Sequence, residues 1–184
     1  MAPIDSDGNG TATLVRRGAV GGLLAGAVGV AMMTLAEKVE QRLTGRPDSD
    51  VPARTLARAV GRPDAPPSRR RRLNPIMHFG QGVLLGSLRG IMAEAGLRGP
   101  WSSAMFTVVR LTNDQTLENA TGVGAPPWTW PRAELTIDLL HKAIYGFTTG
   151  IVADRIAARS GPGPGGRHAR LRPGRHTDVG PPKI

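Results

Sequence analysis

The sequence predicts an all-α fold, a four-helix antiparallel transmembrane bundle with disordered termini, and three observations lead to it. Gly18 to Ala36 runs 19 residues without a charge. At about 1.5 Å per residue, such a helix nearly crosses a hydrocarbon core. Helix start and stop signals punctuate the rest of the chain, and no stretch shows the two-residue period of a strand. Finally, glycines recur at four-residue spacing in three segments: Gly18, Gly22 and Gly26; Gly82, Gly86 and Gly90; Gly146 and Gly150. Each interior glycine costs a soluble helix about 1 kcal/mol against alanine, whereas in lipid a small-residue stripe lets helix backbones approach and pack. A composition rich in Gly, Ala, Arg and Pro explains the glycine count better than it explains the spacing.

Residues 1–12 are small, polar and aperiodic, and read as a disordered N-terminal tail. The first helix spans about 14–44, ending before Gly45 as a C′ glycine and Pro47. It is not read as a cleaved signal peptide. Its apolar run exceeds the usual h-region of about 7–15 residues, no A-x-A site follows, and Arg16-Arg17 lacks the rest of a twin-arginine signal. Residues 46–73 form a basic linker, in which Asp50-Val51-Pro52 opens a short helix toward Gly61. Asn74-Pro75 supplies an N-cap and a proline at the first helical position, so the second helix covers about 75–97. Gly99-Pro100 repeats that signal for a third helix over about 100–119. GVGAPPWTW, residues 122–130, is loop, and Pro131 opens a fourth helix to about 158. The membrane domain is thus 13–158. Residues 160–184, rich in Gly, Pro and Arg, form a disordered basic tail.

The 184 residues suffice for one domain or two small ones. The absence of cysteine excludes disulfides, a thiol nucleophile and cysteine-ligated metal. Net charge is +10, and all but Lys38, Lys142 and Lys183 of the 24 basic residues are arginine. No aromatic residue interleaves Arg69–Arg72 and no nucleic-acid-binding motif surrounds them, so no specific nucleic acid is expected. The partners implied are the lipid bilayer itself and its anionic head groups beside Arg69–Arg72, with a homo-oligomer through the glycine stripes. Trp101, Trp128 and Trp130 stand at segment ends, where interfacial aromatic belts lie, or else pack in loops. The location expected is the cell membrane, with several passes. If the third helix does not cross, the basic linker and the C-terminal segment share one side and the positive-inside rule is well met. If all four cross, they lie on opposite sides and the basic counts nearly balance.

No nucleophile elbow, phosphate loop or catalytic triad spacing is present, so no enzyme activity and no cofactor are expected. Asn9 and Asn119 match glycosylation sequons that are common by chance. The chemistry lies instead in a polar cluster. Short connections make successive helices antiparallel, which brings Glu37, His78, Gln81, Asp114, Glu118, Asp138, His141 and Lys142 to one end of the bundle, with Arg89 and Arg110 reaching toward them from deeper. Arg110, Asp114 and Glu118 are successive i, i+4 neighbours; Asp138 stands i, i+3 from His141 and i, i+4 from Lys142. Ionisable groups at membrane depth are costly and should face inward and pair. Three readings stay open: a charge-balanced structural network, a site that handles protons or ions, and a metal site built on Asp138 and His141. The metal signal is weak, because the Glu-x-x-His pair such bundles use does not occur twice. A soluble or peripheral bundle, with a carboxylate/His metal site or a basic interaction tail, is the alternative to a membrane protein.

The run RLTNDQTLENATGVGAPPWTWP from Arg110, the DLLHKAIYGFTTG that follows, GLLAGAVGVAMMTLAEKVEQRLTGRP and HFGQGVLLGSLRGIMAEAGLRGP together resemble a group of small multi-helix membrane proteins, mainly actinobacterial. The resemblance covers roughly residues 18–157 and implies a helical membrane bundle. It carries no assigned activity, so no residue inherits a role from it.

Overall fold

The computed structural model describes residues 7–63 and 66–171. Among these there are α-helices and no strand: α1 (Asp7–Thr44), α2 (Val51–Ala59), α3 (Pro67–Ala95), α4 (Pro100–Ala120), α5 (Arg132–Ala158) and α6 (Gly163–Leu171), with a short 3-10 turn at Pro127–Thr129. The four long helices alternate in direction. Gly18 lies beside Ile91 and Gly26 beside Gly82; Gly21 lies beside Ile156 and Gly29 beside Tyr145; Gly150 faces Ser103 and Gly146 faces Thr107. These contacts define the antiparallel pairs α1/α3, α1/α5 and α4/α5.

The glycine stripes form the seams. A Cβ added at Gly26 would lie 2.6 Å from the Gly82 carbonyl oxygen and 2.9 Å from Gly86 Cα, so α1 and α3 meet backbone to backbone. Gly146 and Gly150 serve a different pair, receiving Thr107 and Ser103 of α4. A second stripe on α1, not singled out from the sequence, comprises Gly21, Ala25 and Gly29, all buried. Its two glycines meet Ile156, Thr149 and the Tyr145 carbonyl of α5. α1 therefore seats two partners on adjacent small-residue faces. By contrast α4 approaches α3 sparsely, and large side chains (Arg89, Phe106, Arg110 and Tyr145) lie buried in the interior.

Beside two small apolar clusters around Ala25 and Phe106, the interior is rich in polar and charged side chains. Arg89, Ser103, Thr107, Arg110, Asp114, Lys142 and Thr149 are buried, while Val20, Leu24, Val28, Met32 and Leu35 form an exposed stripe down α1. Leu84 and Leu88 of α3, Met105 and Val108 of α4, and Leu140, Phe147 and Ile151 of α5 are exposed as well. By length and hydropathy alone, α1 is the single described helix apolar enough to cross a membrane. Helices α3 and α5 fall short because their charged residues lower the mean, and α4 because Ser102, Ser103, Asn113, Gln115 and its threonines lower it as well.

Four boundaries differ from expectation. α1 begins at Asp7 rather than near 14. No proline interrupts residues 7–13, and a formed helix extends at the gain of one hydrogen bond per residue fixed. The first six residues, assigned to the N-terminal tail, lie outside the described residues. α3 begins at Pro67 and places Arg69–Arg72 in its first turns, with Pro75 inside the helix. Asn74 does not cap α3. Its Oδ1 accepts the Ala53 N–H (3.1 Å) and its Nδ2 donates to the Ser49 carbonyl (3.1 Å), so it caps α2 from a distance. α3 also ends at Ala95, because Gly96 turns left-handed with φ 104°.

The last difference concerns the tail. Residues 163–171, expected to be disordered, form α6. Gly163, Gly165 and Gly166 let its backbone close on Glu94–Gly96, where a Cβ at Gly96 would sit 2.6 Å from Gly166 N. Arg98 fixes this end, donating to the carbonyls of Ala93 (2.8 Å), Ala157 (3.0 Å) and Gly161 (2.7 Å). The remainder of the predicted tail, 172–184, lies outside the described residues.

Candidate functional site: an acidic vestibule at one end of the bundle

The last turns of α1 and α4 and the first turns of α3 and α5 share one end. Between them lies a cavity of about 780 Å³. Glu37, His78, Gln81, Arg110, Asp114, Glu118, Asp138, His141 and Lys142, the residues that connectivity and helical spacing place together, all line it.

Asp114 occupies the floor and is buried. Its carboxylate accepts Gln81 Nε2 (2.7 Å) and Arg110 Nε (3.0 Å), and Lys142 Nζ lies 3.5 Å away. Lys142 also pairs with Asp138. The Arg110 guanidinium lies 5.1 Å from the centre of the Tyr145 ring, whose hydroxyl donates to the Gly82 carbonyl (2.6 Å). This floor couples α3, α4 and α5 through charge-assisted bonds, which are stronger than neutral ones. On the α1 side, Thr34 Oγ1 donates to the Val30 carbonyl and lies 3.1 Å from His78 Nε2.

The cover comes from segments that sequence reasoning left out of the site. Arg46 and Asp48 line the cavity from the α1–α2 connection, Val51 from the start of α2, and Trp130 and Glu134 from the entry to α5. Arg46 is held bidentately by Glu40, with Nη2 2.8 Å from Oε2, and Lys38 pairs with Asp48. Lys38 beside Asp48 holds that carboxyl below the usual carboxylate range. Arg58 of α2 donates to the Thr121 (2.9 Å) and Gly122 (2.7 Å) carbonyls, joining the two parts of the cover.

The electrostatic balance is one-sided. Six carboxylates line the cavity (Glu37, Asp48, Asp114, Glu118, Glu134 and Asp138) against Arg46, Arg110 and Lys142. Those three bases are engaged by Glu40, Asp114 and Asp138. Among the described residues, no basic side chain pairs with Glu37, Glu118 or Glu134. Asp138 and His141 gain no third ligand, and no group of three His, Asp or Glu side chains suited to a metal ion occurs among the described residues.

Arg89 belongs elsewhere, contrary to expectation. Eight residues beyond Gln81, about 12 Å along α3, it lies toward the opposite end of the bundle. There its Nη2 meets Asp154 Oδ1 at 2.8 Å and its Nη1 donates to the Leu97 carbonyl at 3.3 Å. Asp154 continues the Gly146, Gly150 spacing on α5, and that spacing was the available signal for it. The chain matches no family model, no curated protein and no solved structure.

Asp114→Asn keeps an acceptor for Gln81 but removes the charge that Arg110 and Lys142 share. Weakening these charged hydrogen bonds is expected to cost about 2 kcal/mol of stability, measured by thermal unfolding of the purified protein. An unchanged transition would show Asp114 to be solvated.

Proposed function

We propose that the chain is a polytopic membrane protein in which α1, α3, α4 and α5 cross the bilayer, and that its vestibule handles protons or small cations. The polar interior supports the first part: large apolar side chains are exposed on all four helices, as lipid would suit, while Arg89, Glu94, Arg110, Asp114 and Lys142 are buried. α4, the shortest of the four at 21 residues, reaches about 30 Å, enough to span a hydrocarbon core. Trp101 and Trp128, both exposed, stand at opposite ends of the bundle, as paired interfacial belts would. Arg69, Arg71 and Arg72 are exposed in the first turns of α3 and suit anionic head groups there.

The observation that carries the second part is the sign of the cavity. In a chain of net charge +10, the cavity at this end of the bundle is lined by twice as many acids as bases. Such a concentration of one sign raises the local concentration of the opposite ion.

Two measurements test the reading. Alkaline carbonate should leave the protein in the membrane fraction, and release would make it peripheral. Proteoliposomes holding a pH-sensitive dye should show proton uptake driven by an imposed potential, and Glu37→Gln/Glu118→Gln should lose most of it. Uptake equal to that of empty liposomes would refute proton handling.

A further inference from the structure

Building on the cation-handling reading, we propose that the vestibule binds an organic cation, an ammonium carried on an apolar or aromatic body, in preference to a bare inorganic ion. Size is the first argument. A volume of about 780 Å³ lies within the roughly 300–1,000 Å³ of pockets for drug-sized ligands, while a water-sized ion needs only about 30 Å³. Wall chemistry is the second. Met33, Met77, Leu117, Ile137 and Trp130 line the cavity along with the acids. Thioethers and branched aliphatic groups offer a hard cation such as K⁺ or Mg²⁺ nothing, but they fit an apolar body. Trp130, tethered by its Nε1–H to the Ala125 carbonyl at 2.8 Å, offers the aromatic face that favours alkylammonium groups.

The charge arrangement is the third argument. Lys142 and Arg110 already neutralise Asp114 at the floor. The uncompensated acids, Glu37 and Glu118, lie higher in the cavity and are half-buried. Carboxylates held among apolar groups favour a cation that sheds water readily, and a quaternary ammonium sheds it more readily than K⁺ or Mg²⁺. His141 adds a polar group open to a ligand: it lines the cavity, is nine-tenths buried, and its Nε2 has no hydrogen-bond partner, so it can accept the N–H of a protonated amine, a bond that a quaternary probe does without.

The test uses the full chain in detergent micelles and isothermal titration with benzyltrimethylammonium. The comparators are neopentylbenzene, which is isosteric but neutral; benzoate, which is anionic; and KCl as competitor. Saturable binding of benzyltrimethylammonium is expected, at least about tenfold tighter than either comparator, a factor equivalent to about 1.4 kcal/mol. Potassium at the same concentration should not displace it. Glu118→Gln and, separately, Glu37→Gln should weaken binding about tenfold with the unfolding transition intact. Using two single variants guards against a folding defect in either. Equal binding of neopentylbenzene would make the site merely apolar, and a preference for benzoate would give the site to Arg110. Either result overturns the proposal, as does displacement by potassium. If proteoliposomes take up protons while benzyltrimethylammonium does not bind, the organic-cation inference alone is wrong. If benzyltrimethylammonium binds without proton uptake, proton handling falls and the inference stands.

Discussion

Asp154→Ala is expected to destabilise the protein by about 3–5 kcal/mol, because it leaves a fully buried arginine without its counter-charge. Arg89 is 0% exposed, and Asp154 is its ion-pair partner at 2.8 Å. The same carboxylate accepts the Gly99 N–H through Oδ2 at 2.8 Å, while Arg89 donates to the Leu97 carbonyl. One ion pair thus holds both sides of the Gly96–Gly99 turn between α3 and α4, and it ties that turn to α5. The turn depends on this help, since Gly96 and Gly99 both adopt positive φ and provide no side chain of their own. Desolvating an arginine costs more than a lone ion pair returns, so the pair is not itself a large source of stability. Arg89→Met/Asp154→Ala should therefore recover much of the loss, since methionine fills similar space without a charge. Unfolding in mixed detergent micelles would measure both. Equal stability of Asp154→Ala and the parent would show water reaching Arg89. A double variant no better than Asp154→Ala would show that the turn depends on the hydrogen bonds themselves.

The vestibule was legible in the sequence because two short-range rules act on it together. Short turns set the helix directions, and i, i+4 spacing set which side chains share a face; Arg110, Asp114, Asp138 and Lys142 obey both. The cover was not legible, because its contacts bridge distant parts of the chain. Nothing local to Arg58 indicates that it donates to the carbonyls of Thr121 and Gly122. Asn74 shows how a correct local rule is overridden. Asn-Pro is a sound helix start, but the Asn74 side chain serves α2 while α3 starts earlier, where Pro66 and Pro67 supply a competing start. α6 shows the opposite case: glycines read as a sign of disorder give the close backbone approach that seats it on the end of α3. Composition sees the flexibility of glycine but not the surface that the rest of the chain prepares for it.

Gly86→Val is expected to force the α1/α3 seam open, and its meaning depends on a control at Gly80, six residues earlier in the same helix. A Cβ at Gly86 would lie 2.5 Å from Gly26 Cα and 2.7 Å from Gly26 N, so a side chain there collides with backbone that cannot rotate away. The helices must separate, which loses the contacts at Gly22 and Gly90 too, and the expected cost is about 3 kcal/mol. At Gly80 an added Cβ meets nothing within 4 Å. Gly80→Ala should therefore stabilise the helix, by up to about 1 kcal/mol, through reduced backbone freedom of the unfolded chain. The two variants move helix propensity in the same direction and differ in the room available, so opposite signs of effect isolate packing as the reason for the Gly82, Gly86 and Gly90 stripe. If both variants stabilise, the seam is looser than described and the stripe reflects composition alone. If both destabilise, the Gly80 face is covered by something outside the chain, such as a second copy. Sedimentation of the parent protein in detergent would then reveal a dimer that Gly80→Ala dissociates.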